Sequence, residues 1–224
     1  MIGILGGTFN PIHNGHLHLA ERLQQTMGFE AIRFMPAAIP ALKDIPNVSA
    51  EQRADMVKLA IVDYPTFEID TRELERAGPS YSIDSLISLR KELGDKVSIC
   101  WLIGSDAFAR LNTWHRWNEL LDHCHFVVVK RPRSEELNWS SEVDALIVAH
   151  QTNDVNALKN SASGKILIQE IAALDISSTE IREHIASKTN VSDVMPSSVI
   201  NYIQQHHVKN CLCRSACFFQ FHNI

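Results

Sequence analysis

Residues 1–16 read MIGILGGTFNPIHNGH, and this stretch decides the fold. The apolar run at residues 2–5 has no polar alternation, which indicates a buried parallel strand. A glycine turn at residues 6–11 follows it, and a helical spacing of apolar residues runs from Leu17 to Met27. In α/β proteins a strand, a glycine turn and a helix in this order present backbone amides and a helix N-terminus to an anion. The stretch therefore predicts a phosphate-binding site at a strand–helix junction.

The rest of the chain alternates strands with helices. Strands are expected at residues 31–35, 66–70, 97–103, 126–129 and 166–168. Helices are expected at residues 49–62, 82–93, 114–122, 177–185 and 196–205, while residues 73–81 form a polar loop and residues 135–163 show no clear pattern. This order predicts an α/β fold: a Rossmann-like doubly wound parallel sheet with helices on both faces and a small C-terminal helical part.

Length, net charge and hydropathy limit the classes of protein to which this chain can belong. The 224 residues suit one domain, expected at residues 1–207, with a weakly ordered tail at residues 208–224. The net charge of −5 argues against a general affinity for nucleic acid, which needs a basic face. No apolar run reaches the ~18–20 residues that span a bilayer, and no secretory signal is visible. We therefore expect a cytoplasmic protein without membrane contact; its oligomeric state stays open, a homo-oligomer included.

The cysteines support this location. Cys100 and Cys124 lie in apolar runs, where a buried free thiol is the expected state. Cys211, Cys213 and Cys217 crowd the tail, but their spacing is not a recognised zinc pattern. We therefore expect no metal site in the tail.

Two histidines, His13 and His16, flank Gly15 at the start of the first predicted helix. Imidazoles donate hydrogen bonds to phosphate oxygens and become charged near neutral pH. Gly15 removes a side chain between them, which we expect to leave room for a phosphate. A metal site is the weaker alternative because no third ligand lies at a suitable spacing. A chance surface pair is less favoured because the histidines directly follow a strand and a Gly–Gly–Thr turn.

Two later stretches point to the same edge of the sheet. Residues 176–182, ISSTEIR, open a helix with hydroxyls and place Arg182 one turn inside it, although ordinary N-capping would explain the hydroxyls equally well. Gly104 and Asp106 follow the predicted strand at residues 97–103, and Asp106 has a helix N-cap as its alternative role. Ligands of parallel sheets bind at the carboxyl ends of the strands, so both glycine turns should face one crevice.

Together, GGTFNPxHxGH at residues 6–16 and SSTxxR at residues 177–182 resemble the nucleotidyltransferase superfamily marked by HxGH and ISSTxxR. The stretches PSYSIDSL (79–86), IGSD (103–106), TW (113–114) and KRP (130–132) are similar to the bacterial nicotinate-nucleotide adenylyltransferases of NAD biosynthesis. The resemblance covers about residues 1–207. It implies transfer of AMP from ATP to nicotinate mononucleotide, with release of pyrophosphate, by direct in-line attack with Mg²⁺ on the ATP phosphates. Because the attacking phosphate is already an anion, no general base is required.

The resemblance also implies roles for individual residues. Catalytic roles fall to His13, His16 and Arg182. ATP binding falls to Gly6, Gly7, Thr8, Phe9, His13, His16, Gly104, Asp106, Ser177, Ser178 and Arg182. Binding of the acceptor nucleotide falls to Thr8, Lys43, Ser82 and Trp114, with Trp114 stacking on the nicotinate ring. The alternative for Trp114 is a half-buried packing residue.

One loop departs from the family pattern. Where the family often has Pro-Pro-His-Lys, this chain has Pro40–Ala41–Leu42–Lys43, so Leu42 replaces the histidine while Lys43 keeps a cation. Three alternatives stay open: nicotinamide mononucleotide as acceptor, another acceptor such as phosphopantetheine or a cytidylyltransferase substrate, and a nucleotide-sensing module without turnover. The intact His13, His16 and Arg182 argue against the last.

Overall fold

The computed structural model describes residues 1–42, 44–130, 139–172, 174 and 176–208. In this part of the chain six parallel strands form one sheet in the order β3-β2-β1-β4-β5-β6. The strands are β1 (Ile2–Gly7), β2 (Ala31–Pro36), β3 (Phe67–Ile69), β4 (Ile99–Gly104), β5 (His125–Lys130) and β6 (Ile166–Glu170). This is the doubly wound order in which the connections reverse direction between β1 and β4. The predicted Rossmann-like fold is confirmed.

Helices connect the strands. They are α1 (Asn14–Met27), α2 (Ala50–Ile61), α3 (Arg72–Glu75), α4 (Ser82–Leu93), α5 (Ser105–Phe108), α6 (Leu120–His123), α7 (Ser141–His150), α8 (Val155–Lys159), α9 (Ser178–Ala186) and α10 (Ser197–Gln205). Short 3₁₀ turns occupy Leu111–Thr113 and Trp117–Glu119. Among the residues described, no helix has both the length and the hydropathy needed to cross a bilayer.

Successive strand residues bury their side chains on opposite faces of the sheet. Leu5 and Leu102 belong to one core, which α1, α2 and α10 cover with residues such as Leu23, Val57 and Val199. The neighbouring strand residues Ile4, Trp101 and Ile103 belong to a second core, which α4, α6 and α7 cover with Leu86, Leu121 and Val143. The continuous apolar strands of the sequence follow from this two-sided burial.

The predicted helix ends are largely confirmed. Gly28 ends α1 in the left-handed conformation with φ of 67°, and the Ser49 hydroxyl accepts a hydrogen bond from the Gln52 backbone N–H at 3.2 Å. Ser177 caps α9 in the same way, because its hydroxyl accepts from the Glu180 N–H at 3.2 Å. Both cysteines of the sheet region, Cys100 and Cys124, are free and buried, as expected, and burial raises the pKa of both thiols.

Some sequence expectations are wrong in detail. Residues 114–122 do not form one helix, since Arg116 has a φ of 51° and a left-handed residue cannot continue a right-handed helix. The polar loop at residues 73–81 begins with the short helix α3. In the stretch at residues 135–163, the described part contains α7 and α8, and α7 buries only Val143 and Ile147. A narrow apolar face of this kind leaves little periodic signal.

Candidate active site

A cleft of about 630 Å³ opens at the carboxyl edge of the sheet, between β1 and β4. Its size is typical of a small-molecule site. The lining residues are Leu5, Gly6, Gly7, Thr8, His16, Leu19, Ala37, Pro40, Ala41, Leu42, Glu73, Ser80, Tyr81, Ser82, Trp101, Leu102, Ile103, Gly104, Ala107, Thr113, Trp114 and His115. The glycine turns after β1 and β4 therefore face one crevice, as the sequence predicts.

The glycine loop, residues 6–11, is packed too closely for side chains at its start. A Cβ on Gly6 would lie 2.9 Å from Cζ2 of Trp101, and a Cβ on Gly7 would lie 3.0 Å from Cζ of Phe9. Phe9 has a φ of 47° and turns its ring into the core, edge-on to His16 with ring centroids 5.1 Å apart. Phe9 is 2% exposed and does not line the cleft, so its contact with ATP stays a prediction.

The two histidines contact each other at the start of α1. Their ring centroids are 3.8 Å apart with a tilt of 36°, and the His13 backbone N–H donates to His16 Nδ1 at 3.3 Å. Since Nδ1 accepts this hydrogen bond, a neutral His16 carries its proton on Nε2. His16 lines the cleft and can offer this N–H to an anion.

His13 is only 5% exposed and does not line the cleft. Burial lowers its pKa from 6.5 to about 4, so His13 is neutral in the free protein at pH 7. Its Nδ1 is buried and has no hydrogen-bond partner within the described chain, and the same holds for Asn10 Oδ1 in the glycine loop. Buried polar atoms without partners are rare in folded proteins, and these two lie three residues apart, one in the glycine loop and one at the N-cap of α1.

Gly15 packs closely against the His13 ring and Ile176. A Cβ there would lie 3.0 Å from His13 Nδ1 and 3.5 Å from Cβ of Ile176. The two imidazoles touch each other, so no gap for a phosphate separates them. Gly15 makes room for the His13 ring and for the approach of Ile176, and room for a phosphate beside it stays a prediction.

The ISST segment, residues 176–182, packs directly against the glycine loop. Ser178 Oγ donates to the Pro11 carbonyl at 3.1 Å, and Arg182 Nη1 donates to the carbonyls of Asn10 at 3.0 Å and Ser178 at 3.1 Å. Burial lowers the pKa of Arg182, but a guanidinium stays protonated at neutral pH. The two sequence motifs thus meet in space, and Ser177 also fulfils the N-cap alternative.

Opposite the glycine loop lies the acceptor wall, formed by Ser80, Tyr81, Ser82, Trp114 and His115. Ser82 is the first residue of α4 and lines the cleft, so the N-terminal end of that helix lies beside it. The rings of Tyr81 and His115 have centroids 4.3 Å apart and are tilted by 30°, and the half-buried Trp114 packs against the second core. Both roles weighed for Trp114, packing and contact with a ligand, are compatible with this position.

Six of the described residues implied in binding do not line the cleft, namely Phe9, His13, Asp106, Ser177, Ser178 and Arg182. Asp106 is exposed on α5, and its N-cap alternative does not hold because Gly104 is the cap. Leu42, in the position of the family histidine, lines the mouth of the cleft and is 61% exposed. Lys43 lies outside the described residues, as do the cysteines of the tail.

Two buried charged residues escaped the sequence analysis. Glu73 lines the cleft at 5% exposure; burial raises the pKa of its carboxyl, and Ser85 Oγ donates to it at 2.6 Å. Arg53 is 1% exposed and donates to the Thr8 carbonyl. Helical spacing could have predicted that Arg53 is buried, because it shares a face of α2 with the apolar Met56 and Val57.

The described residues contain no group of three or more His, Cys, Asp or Glu side chains that could hold a metal ion.

Comparison with known proteins places the chain in a family. Residues 4–184 match the cytidylyltransferase-like family. The chain is 42% identical over 207 residues to a "Probable nicotinate-nucleotide adenylyltransferase" of Pseudomonas putida strain W619, a match that covers 92% of this chain and 94% of the relative. A protein of the same name from Aeromonas salmonicida strain A449 is 42% identical over 204 residues, covering 91% and 94%.

Solved structures agree on the fold. The Plasmodium falciparum nicotinic acid mononucleotide adenylyltransferase complexed with NaAD superposes with a TM-score of 0.68 at 18% identity, covering 93% of this chain and 97% of that one. The same enzyme complexed with APC gives a TM-score of 0.65 at 18% identity, covering 93% and 96%. The solved structures confirm the fold, and the family follows from the family model and the relatives at 42% identity. This chain belongs to the cytidylyltransferase-like family and, within it, to the nicotinate-nucleotide adenylyltransferases.

Proposed function

We propose that this nucleotidyltransferase moves the AMP group of ATP to the phosphate of nicotinate mononucleotide, forming nicotinate adenine dinucleotide and pyrophosphate. The observation that carries the proposal is the single cleft that joins the glycine loop to the acceptor wall. One side offers donors suited to phosphates, and the other offers aromatic rings and helix N-terminal amides suited to a carboxylated pyridine ring.

The reaction is a substitution at phosphorus. A phosphate oxygen of the mononucleotide forms a bond to the α-phosphorus of ATP, the bond to the bridging oxygen of the β-phosphate breaks, and pyrophosphate leaves with the electron pair. The attacking oxygen is already anionic, so no proton has to be removed. Catalysis then consists of aligning two polyanions and stabilising the charge that develops on the phosphates.

The residues of this chain divide that work. Gly7 and Thr8 offer backbone amides at the end of β1, and His16 offers its Nε2–H from the start of α1, where the helix dipole also favours an anion. Arg182 supplies a guanidinium held beside the loop by the Asn10 carbonyl. ATP phosphates bound beside His13 raise its pKa from about 4 toward its ordinary value, because a nearby anion favours the charged imidazole.

The proposal includes Mg²⁺ bound to the phosphates of ATP. Magnesium keeps several waters and usually binds through substrate phosphates with few protein ligands. The described residues fit that mode, because they form no cage of acidic or histidine side chains. When bound, Mg²⁺ neutralises charge on the ATP phosphates.

Preference for nicotinate over nicotinamide follows from the acceptor wall. α4 begins at Ser82, which lines the cleft, and in this proposal the N–H groups of Ser82 and Ile83 and the positive end of the helix dipole face the pyridine ring. A nicotinate carboxylate gains from both, whereas a neutral amide gains little. Cytoplasmic location and the absence of nucleic-acid binding stay predictions of the sequence.

The test is a comparison of acceptors with the purified protein, ATP and Mg²⁺. Pyrophosphate release and the mass of the product are measured with nicotinate mononucleotide, nicotinamide mononucleotide and phosphopantetheine. We expect the highest kcat/KM for nicotinate mononucleotide and no turnover when EDTA removes Mg²⁺. Turnover with a different acceptor alone would replace the substrate in this proposal. Tight ATP binding without pyrophosphate release would favour a nucleotide sensor.

A further inference from the structure

Arg53 is a buried arginine that forms no ion pair with the described carboxylates. It lies on α2 at 1% exposure. Burial lowers its pKa to about 10, so the guanidinium still carries its charge at neutral pH. Burying an unpaired charge is costly, and an apolar residue such as its neighbours on α2 would avoid that cost. The position therefore calls for an explanation beyond packing.

The guanidinium binds backbone carbonyls from three separate segments. Nη1 donates to Thr8 at 2.6 Å, Nη2 donates to Ala38 at 3.1 Å, and Nε donates to Val48 at 3.4 Å. Thr8 belongs to the glycine loop, Ala38 follows β2, and Val48 precedes the cap of α2. Arginine suits this arrangement because its planar fork offers several donors in fixed directions.

Ala38 extends the connection to the far side of the cleft. Its N–H donates to Ser80 Oγ at 2.9 Å, and the Ser80 N–H donates to the Ile39 carbonyl at 2.8 Å. Ser80 is part of the acceptor wall and directly precedes Tyr81 and the start of α4. One side chain therefore links the loop beneath one nucleotide to the wall beside the other.

We propose that Arg53 is a positioning residue that sets the distance and orientation between the glycine loop and the acceptor wall. It holds the Thr8 carbonyl and so fixes the peptide planes of the loop, and through Ala38 and Ser80 it fixes the wall. In-line attack depends on the alignment of the two nucleotides, and a displacement near 1 Å can cost about 10²-fold in rate. The inference rests on the proposed function for its substrates, but the geometry of the loop can be tested without them.

The decisive variants are Arg53→Lys and Arg53→Met, with Arg90→Met as a matched control. Arg90 also donates to backbone carbonyls, at 2.8 Å to His123, 2.6 Å to Val97 and 2.6 Å to Ala162, and it lies outside the cleft lining. Arg90→Met therefore removes an equivalent set of hydrogen bonds far from the chemistry. Lysine at position 53 keeps the charge but cannot reach all three carbonyls.

For Arg53→Lys and Arg53→Met we expect kcat/KM for both substrates to fall at least tenfold, with kcat also reduced. For Arg90→Met we expect kcat/KM per folded molecule to stay within twofold of the wild-type value. Thermal unfolding monitored by circular dichroism gives the folded fraction. Wild-type kinetics in Arg53→Lys, or equal kinetic losses in Arg53→Met and Arg90→Met, would overturn the proposal.

A readout independent of turnover uses hydrogen–deuterium exchange at residues 6–9 and 80–82, with and without α,β-methylene-ATP. We expect both segments to exchange faster in Arg53→Met and normally in Arg90→Met. If neither segment changes, Arg53 does not position them. If wild-type protein fails to use nicotinate mononucleotide but these exchange differences appear, the choice of acceptor is wrong and the role of Arg53 stands.

Discussion

Arg182 Nη1 and the carbonyl oxygen of Asn10 form a hydrogen bond of 3.0 Å between residues 172 positions apart. The bond attaches α9 to the glycine loop. The same Nη1 also donates to the Ser178 carbonyl, while Nη2 donates to Thr179 Oγ1 at 3.1 Å. The guanidinium is therefore held in place before any ligand arrives, which lowers the cost of ordering it around a phosphate.

Arg182→Lys should weaken the site because one ammonium cannot contact Asn10, Thr179 and a phosphate together. We expect kcat/KM for ATP to fall at least tenfold with a small change in Tm. Steady-state pyrophosphate release measures the effect, and Arg22→Lys, whose exposed guanidinium donates to Gln25 Oε1, serves as control. Unchanged kinetics in Arg182→Lys would remove the guanidinium from phosphate binding.

His16→Ala should lose kcat by about 10²- to 10³-fold, the usual cost of removing one donor to transition-state charge. The fold should persist, because the ring lies at the cleft surface. His18→Ala is the control on the same helix, since His18 contacts the Ala172 carbonyl and does not line the cleft. Near-normal turnover of His16→Ala at full folding would show that the imidazole takes no part in the reaction.

Gly15→Ala should reduce both stability and activity. The new Cβ would lie 3.0 Å from His13 Nδ1, and Ile176 blocks the other side, so overpacking should cost about 1–3 kcal/mol of unfolding free energy. Gly104→Ala is the contrasting variant, because a Cβ there meets nothing within 4 Å and its φ of −71° suits alanine. Chemical denaturation compares the two; equal stability would contradict the packing argument for Gly15.

Stability should fall in mild acid because of His13. Its pKa is about 4 in the folded protein, against 6.5 for a histidine of the unfolded chain, so between these values the unfolded state binds more protons. The stability is fully present above pH 6.5 and is lost as the pH falls toward 4, by about 3 kcal/mol at most. Urea unfolding across this range measures the slope, and His13→Gln should flatten it. An identical slope in the variant would assign the acid sensitivity to other groups.

The sequence predicted helix ends correctly where the interactions that end a helix involve residues close together in the chain. Gly28 and Ser49 mark helix ends because a left-handed residue and a side-chain cap act within one turn of the chain. Residues 114–122 show the limit of that reasoning: their composition suits a helix, but the left-handed Arg116 interrupts it in the folded chain. Tertiary context overrides local propensity at such positions.

Residue spacing predicted the parallel α/β architecture and the common edge of the two glycine turns, whereas the function came from the resemblance of two motifs to a known family. The architecture and the common edge follow from periodicity and from the rule that parallel strands end at one edge, which need no coordinates. Only the tertiary structure placed Arg53 beneath Thr8, packed the His13 ring against Gly15 and buried Glu73 beside the cleft. Those relationships join residues far apart in the chain, and burial, which sets their charge and hydrogen bonding, exists only once the sheet and its helices have assembled.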